Sequence, residues 1–302
     1  MSATAVYLTG ATASGKSALA LRLAKRLGGE IISVDSMQVY VGLDIGTAKP
    51  SLEEQAEVPH HLIDVAKLDE AFDAAQFVHL AKRAEAIVRK RGNRPIFCGG
   101  SGLYFRALME GLGESPPSDN ALSETLAAIS LEALIDELKS KDPQAAAQVD
   151  LQNPRRVVRA VEVIRLTGRP YSEQRIGWNE TGQAAENLFC VQREVETLNQ
   201  RIHARVDVMF EHGLVEETKR LAKRGLRENR NARQALGYRQ VLELLEGSLC
   251  LEDTIELVKT KTRQFAKRQR SWFRNQMTCE TVEWAADEPV DACCDRLLGR
   301  IS

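Results

Sequence analysis

At 302 residues, with a net charge of −1 and 43 % hydrophobic and 27 % charged residues, the chain has a globular composition and the length for two domains, each with its own core. No apolar run approaches the roughly 18 residues of a membrane span, and Thr4, Thr9 and Gly10 interrupt the one stretch that could pass for a leader, so a cytoplasmic protein is expected. Cys98, Cys190, Cys250, Cys279, Cys293 and Cys294 show no Cys-x-x-Cys and no His partner spacing, which argues against a zinc module and a disulfide framework and leaves reduced, packing cysteines.

The first predicted strand is the apolar run at residues 6–8. Directly after it, Gly10, Ala11, Thr12, Ala13, Ser14, Gly15, Lys16 and Ser17 match Gly-x-x-x-x-Gly-Lys-Ser, and a helical pattern follows over residues 18–27. Strand, glycine loop and helix in that order make a phosphate cradle. Loop N–H groups and the positive end of the helix converge on phosphate oxygens, Lys16 adds a mobile charge, and the Ser17 hydroxyl can ligate a Mg²⁺ that neutralises the same phosphates.

Further strands are predicted at residues 31–34 and 95–98, with a helix over residues 72–91 between them. This alternation is an α/β fold with a parallel sheet of the P-loop NTPase type and flanking helices, whose ligands bind beyond the carboxyl ends of the strands. Asp35 follows the second strand and Ser101 the third, so both are expected in one crevice with the loop. At Asp35 two roles stay open on the residues alone: a base, or a carboxylate that binds Mg²⁺ or caps a helix.

The Gly/Pro-rich stretch at residues 111–117 breaks the rhythm. Amphipathic helices predicted at 122–138, 144–149 and 154–167 make residues 114–186 a helical insertion in a core formed by 1–113 and 187–302. A strand at 188–191 rejoins the sheet, and everything from Glu194 onward is expected to be helical, with short breaks at Gly213, Gly225 and Gly247.

The near-neutral total hides a polarised distribution. Residues 219–239 hold eight Lys/Arg against one acid, Glu228, and residues 259–274 hold seven against none. At helical spacing Lys259, Arg263, Lys267, Arg270 and Arg274 share one face, with Phe265, Gln269 and Trp272 opposite, so one side is expected to dock and the other to present a cationic stripe to a polyanion. Arg155, Arg156 and Arg159 form a second basic group, with Glu162 near enough to compensate part of it. Arg201 and Arg205, four apart, either reach the phosphate or pair with Asp207 or Glu211.

Taken together, the motifs resemble the bacterial tRNA dimethylallyltransferase (IPP transferase) family over nearly the whole chain. The resemblance is carried by residues 10–17, 32–40 (ISVDSMQVY), 44–50 (DIGTAKP), 59–64 (PHHLID), 99–104 (GGSGLY), 153–156 (NPRR), 234–239 (QALGYR) and 266–274 (AKRQRSWFR). It implies transfer of a dimethylallyl group from dimethylallyl diphosphate to N6 of the adenine on the 3′ side of the anticodon, with diphosphate held in the loop. Asp35 would then be the base, and Ser101, where many relatives have Thr, would hydrogen-bond the amine and the bridging oxygen. Asp35, Ser36, Met37 and Gln38 would line the adenine pocket. Arg155, Arg156, Val157, Val158 and Arg159 would grip the anticodon loop, and Ser123 stands where some relatives carry a tRNA-contacting Arg.

By the same resemblance Gln234, Ala235, Leu236, Gly237, Tyr238 and Arg239, with Lys267, Arg268, Gln269, Arg270, Ser271, Trp272, Phe273 and Arg274, would hold the stem. A structural role is expected for His60 and His61, and a monomer for the chain. The competing enzyme class is a small-molecule kinase, which shares the loop and an inserted lid but needs no long basic helix. A GTPase-like switch is disfavoured by the absence of Asn-Lys-x-Asp.

Overall fold

Six strands, β1 (Val6–Gly10), β2 (Gly29–Val34), β3 (His60–His61), β4 (Arg94–Gly99), β5 (Leu188–Gln192) and β6 (Glu280–Glu283), pair in parallel in the order β3-β2-β4-β1-β5-β6. The structure is a computed structural model that describes residues 4–113, 115–174 and 186–301. All six residues of β2 are buried, as expected of a parallel strand covered on both faces. Register sets the strand ends level: Thr9 and Val34 both lie opposite Gly99, and Gly10 lies opposite Val191. Gly99 has to be glycine there, since a Cβ would stand 1.9 Å from the Val34 carbonyl oxygen. The segments that leave these strands therefore emerge on one edge.

Helix α1 (Lys16–Leu27) starts at Gly15 and stops at Gly28, both in left-handed conformations, and buries Leu19, Ala20, Leu23 and Ala24. Helix α2 (Leu52–Glu57) opens on a capping box of Ser51 and Glu54 and α3 (Ala74–Lys90) on one of Asp73 and Gln76, and α4 (Gly102–Glu110) follows Ser101. The insertion contributes α5 (Asn120–Ala127), α6 (Leu131–Lys141), α7 (Pro143–Gln148), α8 (Pro154–Thr167) and α9 (Tyr171–Gln174) around its own core of Leu126, Leu134, Leu138, Val157, Val161 and Ile164. The single helix expected over 122–138 is in fact two, because the Ser130 hydroxyl accepts the Ala133 N–H and starts a new helix.

The chain divides into two compact units, residues 110–180 and residues 1–109 with 181–302. The second end of the insertion, expected near 186, falls in a stretch of which residues 175–185 lie outside the described residues.

After β5 come α10 (Val195–Glu211), α11 (Leu214–Ala222), α12 (Tyr238–Leu245), α13 (Leu251–Gln276) and α14 (Val290–Leu298). The expectation of helix alone beyond Glu194 is corrected by β6. This strand is Glu-Thr-Val-Glu, in which only Val282 is buried, so it has no apolar run to announce it, and pairing with β5 is what makes it a strand. No helix among the described residues is long and apolar enough to cross a membrane. The docking face of α13 is Thr254, Val258, Thr262, Ala266, Gln269 and Phe273, so Gln269 is on it and Phe265, half-buried, is not.

Candidate active site

At the carboxyl edge of the sheet a cavity of about 290 Å³ is lined by Thr12, Ala13, Gly15, Lys16, Ser17, Asp35, Gln38, Cys98, Gly99, Arg201, Arg205 and Gln269. Ala18, Leu21, Thr47, Ala48, Pro50, Glu54 and His60 complete it. The loop is shaped by positive φ at Gly10 (146°), Ala13 (62°) and Gly15 (97°). Side chains are excluded at the two glycines: a Cβ on Gly10 would meet the Val191 oxygen at 2.5 Å, and one on Gly15 the Trp284 ring at 2.6 Å. Ala13 holds a left-handed conformation without glycine's freedom, a cost of order 1 kcal/mol that is a mark of functional loops.

Three cations converge on this loop. Lys16 Nζ donates to the Ala11 carbonyl at 3.2 Å, Arg201 Nε to the Ala13 carbonyl at 2.9 Å, and Arg205 Nη1 to Thr12 Oγ1 at 3.5 Å. Burial pulls the Lys16 ammonium below its ordinary value, with Arg205 adding repulsion and Cys98 and Asp35 opposing. Burial and then Arg201 lower Arg205 in the same way. The two arginines thus reach the loop, while Asp207 pairs with Lys259 at 2.8 Å. Glu54, the second carboxylate of the lining, is used by the Ser51 N–H at 2.9 Å. Like charges, two of them half-buried, with a carboxylate at the end of β2 among them form a site whose electrostatic cost an anionic ligand offsets. Burial pushes the neighbouring Cys98 thiol up to about 11, so it is neutral packing, as the cysteine pattern suggests.

That carboxylate is Asp35. Its Oδ1 accepts the Met37 N–H at 2.8 Å and the Gln38 N–H at 3.2 Å, which fixes the side chain, while Oδ2 accepts no hydrogen bond among the described residues. The capping geometry and an available oxygen therefore coexist. Ser101 does not line the cavity, contrary to expectation; its hydroxyl accepts the Ser36 N–H at 3.1 Å, one residue from Asp35. The amide of Gln38 accepts from Ser33 Oγ at 2.9 Å and donates to the carbonyls of Thr47 and Ala48, which ties the 44–50 segment into the wall. Met37 packs on the main core.

Some residues expected to touch RNA are buried. Ser123 is 8 % exposed and donates to Glu162 Oε1 at 2.6 Å, so it serves the interior of the helical unit. Val157, Ala235, Tyr238, Gln269 and Phe273 are likewise buried. Tyr238 donates its hydroxyl to Glu217 at 2.6 Å and accepts the Gly46 N–H at 3.0 Å, a packing role that holds the 44–50 segment. Val157, Gln269 and Phe273 lie on the inner side of helices that also carry basic residues, and sequence adjacency alone had joined them to the contact surface. Arg159 binds Glu162 and the Pro116 carbonyl, and Arg156 stands 4.0 Å from Asp150. Arg239 pairs with Glu243 and Gln234.

The stripe on α13 is also divided. Lys259 is paired with Asp207 and Glu256, and Arg263 with His203 and Thr260, whereas Lys267, Arg270 and Arg274 make no ion pair among the described residues.

Sequence reasoning missed the wall formed by Thr47, Ala48, Pro50, Glu54 and His60, although motifs there were visible at 44–50 and 59–64. His61 is structural as expected, bonded at 2.6 Å to Glu30, which also binds Arg91 and Asn93. His60 Nδ1 donates to the Val58 carbonyl at 2.7 Å, and the residue lines the cavity.

The IPP transferase family model matches residues 38–276. The chain is 43 % identical to tRNA dimethylallyltransferase 1 of Trichlorobacter lovleyi, over 93 % of each chain, and 44 % identical to the tRNA dimethylallyltransferase of Geobacter metallireducens, over 92 % of each. Among solved structures it resembles the full-length tRNA isopentenylpyrophosphate transferase of Bacillus halodurans, with a TM-score of 0.69 and 38 % identity, covering 98 % of this chain and 96 % of that one. It also resembles a eukaryotic dimethylallyltransferase solved acting on tRNA, with a TM-score of 0.77 and 28 % identity, covering 94 % of this chain and 74 % of that one. These matches favour a prenyltransferase over a small-molecule kinase, and the chain belongs to the IPP transferase family of tRNA dimethylallyltransferases.

Proposed function

We propose that this protein transfers the dimethylallyl group of dimethylallyl diphosphate to N6 of the adenine on the 3′ side of the anticodon in tRNA, releasing diphosphate. The observation that carries the reading is the meeting of Lys16, Arg201 and Arg205 with the Asp35 carboxylate in a single cavity at the strand ends. Adenine N6 is a weak nucleophile, because its lone pair is delocalised into the ring. Attack on the allylic carbon forms the N–C bond as the C–O bond to diphosphate breaks, and Asp35 accepts the N6 proton. The leaving diphosphate gathers charge where Lys16, the two arginines and the loop N–H groups converge. Ser101 acts through the Ser36 peptide, which it holds beside Asp35.

The oxygen donors beside the loop are few. Among the described residues there is no group of three or more His, Cys, Asp or Glu able to hold a metal. Ser17 suits Mg²⁺, which takes one or two protein oxygens plus phosphate and water, and the ion would add charge neutralisation to the diphosphate. The target base has to leave its stack to enter the cavity, at a cost of a few kcal/mol that phosphate contacts to Lys267, Arg270 and Arg274 help to offset. The arginines of α8 are the second candidate contact for the RNA. A monomer in the cytoplasm suffices for this reaction.

The test is mass analysis of unmodified tRNA after incubation with the protein, dimethylallyl diphosphate and Mg²⁺. The expected product gains one dimethylallyl group on the adenine next to the anticodon. Unchanged tRNA, or phosphoryl transfer from ATP to a small alcohol, contradicts the reading.

A further inference from the structure

Gln269 stands on the cationic helix α13 but faces inward. It is 8 % exposed, between Arg268 and Arg270 in sequence, and both ends of its amide are committed. Oε1 accepts the Thr12 N–H at 2.8 Å, and Nε2 donates to the Gly100 carbonyl at 2.9 Å. The amide orientation follows from its partners, since an N–H needs an acceptor and a carbonyl a donor. A Cβ on Gly100 would lie 2.4 Å from Nε2, so the amide reaches its present position because that residue is glycine.

Both contacts land on working parts of the cavity. Thr12 belongs to the phosphate loop and is the residue that Arg205 reaches. Gly100 precedes Ser101, whose hydroxyl holds the Ser36 peptide beside Asp35. One buried side chain therefore joins the helix that carries the unpaired cations, the anion loop and the strand end next to the carboxylate.

We propose that Gln269 is a positioning residue that couples tRNA on α13 to the grip of the loop on diphosphate; this rests on the reaction proposed above. Phosphates held by Lys267, Arg270 and Arg274 fix the helix, the helix fixes the amide, and the amide fixes the Thr12 and Gly100 peptides at one spacing. By linkage, each ligand then strengthens binding of the other by the same factor.

Titration of inorganic pyrophosphate with Mg²⁺ into the protein, with and without saturating unmodified tRNA, reads the coupling as a ratio of two Kd values. The wild type is expected to bind pyrophosphate about fivefold or more tightly with tRNA present. Gln269→Leu, of similar size but without the amide, is expected to bring the ratio close to one, whatever it does to each affinity alone. Gln269→Glu keeps the acceptor for Thr12 but sets a carboxylate against the Gly100 carbonyl; it is expected to cut the ratio at least twofold, and it carries the test if Gln269→Leu does not fold. A ratio of one in the wild type, or a ratio unchanged in the folded variants, overturns the coupling. A wild type that leaves tRNA unmodified in the transfer assay overturns the proposed reaction instead.

Discussion

The cavity and the outer half of α13 use the same residue types for different physics. Lys16 and Arg205 are half-buried, Arg201 lies exposed beside them, and all three are hydrogen-bonded to the loop, where position counts more than number. Lys267, Arg270 and Arg274 are spread along a helix face and unpaired among the described residues, where salt screens each of them and their effects add. A cation cluster in a sequence thus announces an anion, but only its burial tells whether it serves chemistry or docking.

The contrast can be broken most directly at the cavity. Lys16→Ala and Asp35→Ala are each expected to lower kcat/KM for transfer by about 100-fold or more, the loss of a phosphate-stabilising charge or of a base. Turnover within tenfold of wild type in either would remove the distinction.

The exposed half should behave differently. Changing Lys267, Arg270 and Arg274 together to Ala is expected to weaken tRNA binding by roughly one to two decades and to lower the salt slope by about two to three, leaving pyrophosphate affinity without tRNA within about twofold. Lys259→Ala, which removes a cation already paired with Asp207 and Glu256, should shift that slope by less than about one. Equal slopes for the two variants would mean that ion pairing within the fold does not sort the stripe.

The basic group of α8 sharpens the comparison from a third side, because Arg159 is invested in its own unit. Arg159→Ala should destabilise the helical unit by about 1–3 kcal/mol in denaturant unfolding, since it leaves the buried Glu162 short of a partner. Ser123→Ala should cost about 1 kcal/mol and leave tRNA affinity unchanged. An RNA-binding loss without a stability loss in Ser123→Ala would return that residue to the contact surface.

A pH scan adds the smallest effect. Burial alone would raise the Glu162 carboxyl, but hydrogen bonds from Ser123, Arg159 and Ser118 hold it below its ordinary value, and Arg165 with Lys141 holds Glu137 at about 2. Depressed carboxyls contribute stability above their unfolded pKa of about 4.5 and lose it as pH falls through the folded value, so the unit should weaken between about pH 4.5 and pH 2. A flat profile over that window would deny both pairings a role.

Much of the site was legible because its signals are local. Gly10 to Ser17 form one continuous turn, and the four strands called for by apolar runs place Asp35 and Gly100 at level ends once they pair in parallel. Ser101 lies in the expected neighbourhood, where its hydroxyl accepts the Ser36 N–H, although it is not among the residues lining the cavity. The wall at Thr47 and Ala48 was seen as motif without role, because the 44–50 segment is held by Glu217 and Tyr238, residues distant in sequence.

What the amino-acid order determined by itself was the phosphate loop, the central strands, helix α8 and the clustering of charge, since each rests on contacts within a few residues or on a period of two or 3.6. What only the tertiary structure decided was the edge strands β3 and β6, the inward turn of Ser123 and Tyr238, the neutralisation of Lys259 by Asp207, and the bridge from Gln269 to Thr12 and Gly100. Those depend on partners tens to hundreds of residues away, and a side chain's polarity cannot reveal which buried donor or acceptor it will meet when the chain closes.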